Sequence, residues 1–100
     1  MKIDEEILRE INQPYDDWAA YKKDSISIKD LAYLSAATKH EFALLRGKRN
    51  DLLFHGVERH CNFEDELIEL LKEGKYKLIA HTHPDFIYYG RRIKILFELL

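Results

Sequence analysis

The chain carries a single cysteine, Cys61, among its 100 residues. One thiol cannot close an internal disulfide, so the framework of a small secreted scaffold is excluded and a reducing, cytoplasmic setting is the expectation. Long apolar runs are also missing, and the opening Met1-Lys2-Ile3-Asp4-Glu5-Glu6 is charged where a signal peptide would be apolar. No membrane role is expected. Neither sign of charge is in excess, since 16 basic and 18 acidic residues leave a formal −2. Such a balance gives no global attraction to phosphate backbones, so a nucleic-acid partner is not indicated, although a local basic patch is compatible with it. Repeats, linkers and low-complexity segments are absent. What is present, 46% hydrophobic and 34% charged residues, suffices for one core and is too short for two. Residues 1–100 therefore read as one domain with an N-terminal helical segment.

Hydrophobic spacing supplies the elements. Ile3, Ile7, Leu8 and Ile11 predict a first helix ending near Asn12-Gln13-Pro14. Trp18 and Tyr21, three residues apart, predict a short second helix over 15–21 with Trp18 as a core anchor. Ser27-Ile28-Lys29-Asp30 has the form of a capping box, and Leu31, Leu34 and Ala37 continue an apolar face behind it, predicting a helix over 28–38. From Glu41 the period changes. Phe42–Leu45 and Leu52–Phe54 flank the polar Arg46-Gly47-Lys48-Arg49-Asn50-Asp51 and predict a hairpin. Phe63, Leu67, Leu70 and Leu71 share a helical face up to a stop at Gly74. Residues 76–80 form an apolar strand running into His81-Thr82-His83-Pro84, and Ile93, Leu96, Phe97 and Leu100 predict a closing helix. The fold class expected is α+β.

Along a strand, side chains two apart point the same way, so His81 and His83 present two imidazoles together while Thr82 faces away. Such a pair can bind zinc, or can simply satisfy buried hydrogen bonds.

Glu41 opening an apolar strand after a helix, then a hairpin, a helix and a strand ending in His81-Thr82-His83-Pro84, resembles the JAB/MPN metalloprotease domain over roughly residues 31–85. The resemblance implies a cytidine-deaminase-like sheet flanked by helices, with zinc as cofactor. It also implies His81 and His83 as metal ligands and Glu41 as the residue that orients and deprotonates a zinc-bound water. The family's next signature, S-x-x-D, is not matched, because residues 85–94 contain no serine. That aspartate is the usual third protein ligand and that serine helps hold the oxyanion, so both losses argue against ordinary peptidase activity. Asp85, Cys61 and His60 are the candidates to complete a zinc shell. Cys61 is alternatively a small buried apolar residue and Asp85 a solvent-facing turn residue.

Two functions follow from the resemblance. One is a zinc-binding, catalytically degenerate protein that acts by binding a protein partner, in the manner of small phage products that inhibit host defence nucleases such as CRISPR effectors. The other is a zinc-dependent peptidase or isopeptidase using Glu41. Outside the resemblance, Arg46-Gly47-Lys48-Arg49 is either a phosphate or acidic-protein contact or an ordinary soluble hairpin tip. Tyr88-Tyr89-Gly90-Arg91-Arg92 has the composition of a protein-binding surface.

Overall fold

The computed structural model describes residues 17–56, 64–83 and 85–95. Within them lie six strands and two helices: β1 (Asp17–Lys22), α1 (Ile28–Thr38), β2 (Glu41–Arg46), β3 (Asn50–Gly56), α2 (Glu64–Lys72), β4 (Lys77–His83), β5 (Phe86–Tyr89) and β6 (Arg92–Ile95). All six strands join one antiparallel sheet in the order β1-β3-β2-β4-β5-β6. This is an α+β fold. The expected helix over residues 3–11 lies outside the described residues.

Strand β2 sits beside both β3 and β4, and it is buried on both faces because a helix covers each. Phe42 and Leu44 join Leu53, Ala80 and Ile87 against Ile26, Leu31, Ala32 and Leu34 of the α1 segment. Ala43 and Leu45 turn the other way, with Leu52 and Phe54, against Leu67, Leu70 and Leu71 of α2. The near-continuous apolar stretch Phe42–Leu45 is thus the signature of a strand sandwiched between two layers.

Helix α1 starts where the capping box said it would. Ser27 Oγ accepts from the Asp30 N–H at 3.0 Å, and Asp30 Oδ2 accepts from the Ser27 N–H at 2.9 Å. Lys39 closes the helix in the left-handed conformation at φ 62°, donating its N–H to Ser35 O. Helix α2 ends before Gly74, whose φ of 75° suits glycine.

Two expected helices are strands. Residues 17–22 pair along β3, with Trp18 opposite Phe54 and Ala20 opposite Leu52, so the sheet edge takes up a segment whose three-residue aromatic spacing read as helical. Trp18 is accordingly 45% exposed, a cover on Phe54 rather than a central anchor. Likewise Ile93 lies in β6, opposite Tyr88, because Gly90 at φ 58° lets β5 turn back on itself. Leu96, Phe97 and Leu100 lie outside the described residues.

One irregularity matters below. Along β2 and β4, Leu44 faces Ala80 but Leu45 faces Leu78, so Ile79 is an extra residue on β4.

Candidate functional site

Three of the residues singled out from the sequence, Glu41, His81 and His83, meet at one end of the two central strands. Ala43 of β2 lies opposite His81 of β4, so the preceding residues of β2 run alongside the last residues of β4. At that point the ladder continues through a side chain: the buried Phe42 N–H donates to Thr82 Oγ1 at 2.9 Å. Thr82 is almost fully buried on the α1 face, and His81 and His83 take the opposite face with Ala43.

Glu41 is delivered by the α1–β2 junction, which is tied three ways. Ser35 Oγ donates to His40 O at 2.8 Å, Thr38 Oγ1 donates to Leu34 O at 2.7 Å, and the His40 N–H donates to Thr38 Oγ1 at 3.2 Å. With the chain fixed one residue upstream, the Glu41 carboxylate meets His83, Oε1 lying 3.3 Å from Nδ1. The carboxylate and the imidazole come from residues 42 positions apart.

His81 and His83 are neighbours, their ring centroids 5.5 Å apart at 83°. Burial of His81, and then the nearby His83, push its imidazole pKa below the ordinary value, while Glu41 works the other way. The neutral ring this favours keeps a lone pair for a metal.

Sequence reasoning read Tyr88 as part of a protein-binding surface and did not place it beside the histidines. It lies opposite His81 across β4 and β5 and stacks flat on it, with centroids 4.7 Å apart and planes 5° apart. The same ring meets His83 edge-on at 5.3 Å and 88°. The aromatic and β-branched run Phe86-Ile87-Tyr88-Tyr89 was the available signal for a strand. His40 and His55 form a second pair, His40 Nδ1 against His55 Nε2, with the His55 ring stacked on Phe42. His55 is buried, so this pair belongs to the packing of the α1 face.

Asp85 is an exposed turn residue, and His60 and Cys61 lie outside the described residues. Among the described residues, no three His, Cys, Asp or Glu side chains stand as a group able to hold a metal ion. Two imidazoles and a carboxylate are the donor chemistry zinc takes, but the Glu41 carboxylate is engaged by His83. No helix among the described residues is long and apolar enough to cross a membrane.

Thr82→Val is expected to cost about 1–3 kcal/mol, because it keeps the side-chain shape but leaves the buried Phe42 N–H without an acceptor. Urea denaturation measures the loss, and Thr82→Ser, which retains the hydroxyl, should recover part of it. A comparison of the chain with protein families, curated proteins and solved structures finds no match in any of the three.

Proposed function

We propose that the chain is a small JAB/MPN-like, zinc-binding protein that works by binding another macromolecule, its catalytic apparatus being incomplete. The observation that carries this reading is the end of β4: two imidazoles side by side, His81 biased toward its neutral form, and Tyr88 packed against both rings. His81 and His83 would hold the zinc. A further ligand would come from Cys61, His60 or Asp85. The first two follow Gly56, which pairs with Glu41, by only five and four residues. Zinc bound there would cross-link the ends of strands, the role of a closed structural site. The residues after His83 support this side of the proposal. Phe86–Tyr89 and Arg92–Ile95 are an ordinary hairpin on the sheet edge, and residues 85–94 contain no serine to serve an oxyanion. Inhibition of a host defence nuclease is the form of binding that the resemblance suggests.

The test is metal analysis of the purified full chain. The expected result is about one zinc per chain, with a chelator lowering unfolding free energy by about 2.7 kcal/mol where free zinc had stood at a hundred times its Kd. His81→Ala and His83→Ala should each lose the metal and the chelator response. A wild-type protein that carries no zinc, and whose stability does not respond to added zinc or chelator, would overturn the reading.

Peptidase or isopeptidase chemistry is the second reading, favoured by one observation: Glu41 stands against His83 as a base would stand beside a metal ligand. Glu41→Gln separates the two. An enzyme would lose hydrolysis of amide or isopeptide substrates while keeping zinc; a binding protein shows no hydrolysis in the wild type either.

A further inference from the structure

At the other end of β2 and β4, roughly 10 Å along β2 from the position opposite His81, the chain builds a second concavity. It encloses about 710 Å³ and is formed by the β2–β3 turn, the segment after β1 and the approach to β4. That volume lies within the ordinary range for small-molecule sites. Six of its lining residues are cationic, Lys23, Arg46, Lys48, Arg49, Lys75 and Lys77, and none is acidic. In a chain of net charge −2 this is a strong local asymmetry.

The six are not equivalent. Arg46 is already committed, with Nε 3.2 Å from Asp51 Oδ1, a terminal nitrogen 3.2 Å from Asp51 Oδ2, and Nε also 3.2 Å from Asp24 Oδ1. Its guanidinium pKa is raised, first by the hydrogen bond to Asp51 and opposed by burial. Among the described residues the other five have no ion-pair partner. All five are exposed, and a polyanion in the hollow would meet several of them at once.

The wall is otherwise firm. Tyr76 donates its hydroxyl to Asn50 Oδ1 at 3.0 Å, and its ring lies so close over Gly47 that a Cβ there would come within 2.7 Å of it. The Gly47 N–H also donates to Asn50 O at 3.0 Å, closing the turn that carries Lys48 and Arg49. Tyr76 and Ile79 add an aromatic and an aliphatic surface to the charged rim. A fixed hollow with several cations on its rim and apolar surface in its wall fits a compact ligand with several adjacent negative charges and an uncharged body. An isolated carboxylate needs one cation, and an extended acidic peptide needs a groove.

We propose that this end of the sheet binds a phosphate chain, that of a nucleoside di- or triphosphate. Lys23, Lys48, Arg49, Lys75 and Lys77 contact the phosphate oxygens, while Arg46 stays paired with Asp51 and Asp24. The proposal does not depend on zinc, and its test is read without it.

The experiment is titration calorimetry of the full chain at low salt with three probes: tripolyphosphate, ATP and a ten-residue oligothymidylate. Saturable binding that weakens steeply as salt is raised is expected. The triple variant Arg49→Gln/Lys75→Gln/Lys77→Gln should weaken it by about tenfold or more with the melting temperature preserved. A control, Lys29→Gln/Lys72→Gln, removes two exposed lysines outside the hollow and should bind as the wild type does. ATP tighter than tripolyphosphate supports a nucleotide; oligothymidylate tighter than both overturns it. Absence of binding by all three probes at millimolar concentration overturns the proposal, as does equal weakening in the triple variant and the control.

Discussion

Phe54→Ala is expected to remove about 3–5 kcal/mol of unfolding free energy, much of the total a domain of this size possesses. Phe54 is fully buried in the middle of β3, lying opposite Trp18 on one side and Ala43 on the other. It forms one small cluster with Ala43, Leu45 and Leu52, onto which Leu67, Leu70, Leu71 and Tyr76 pack. The apolar stripe of α2 has this cluster as its seat, while Ile68 is left 45% exposed. A cavity at position 54 therefore weakens the attachment of the helix as well as the sheet. The expected signature is a lower urea midpoint with loss of helical circular dichroism ahead of the main transition. Phe54→Leu, which leaves a smaller void, should be markedly less damaging. Equal stability of the two variants would contradict the account.

Asp51→Ala should come second, at about 3 kcal/mol, the lower end for breaking a buried pair. Its carboxylate is completely buried and takes both the Arg46 guanidinium and the Asp24 N–H, the latter at 3.0 Å. Removing it orphans that N–H and leaves Arg46 with only the exposed Asp24 carboxylate. Arg46 keeps partial contact with water, which limits the penalty. Asp51→Asn should be milder, since an amide oxygen can still accept from Asp24; its own cost reads the loss of charge, and the difference between the two variants reads the retained hydrogen bond and volume. Chemical denaturation at neutral pH reads both. If Asp51→Asn costs nothing, the ion pair contributes nothing.

Much of the fold is legible from local rules. The capping box at Ser27, the glycine stop at Gly74, and the β2–β3 hairpin are each determined within a few residues, and each is where its residues put it. The errors share a cause. Trp18 and Tyr21, and later Ile93, have helical spacing, but both segments lie where a sheet offers unpaired edges, and ladder hydrogen bonds outweighed the spacing. Within the candidate site, the same-face placement of His81 and His83 follows from the two-residue period of a strand. The meeting of Glu41 with His83 follows from strand order, which no local rule contains. Tyr88 was out of reach once its segment was not read as a strand. The basic hollow was half visible in Arg46-Gly47-Lys48-Arg49. Lys23, Lys75 and Lys77 join it only because three separate chain segments end on the same side of the sheet.

The extra residue at Ile79 sets the phase of β4. Counted from Leu78, which faces Leu45, strict alternation would place residues 81 and 83 on the α1 side, and Thr82 would turn toward Glu41's face. The offset reverses the count, so Lys77 can stay beside Arg46 at one end while the imidazoles reach the same side as Ala43 at the other. A regular ladder through all seven residues could keep Lys77 or the histidine pair in phase, but not both. The bulge at Ile79 absorbs the odd residue, so one strand serves two ends.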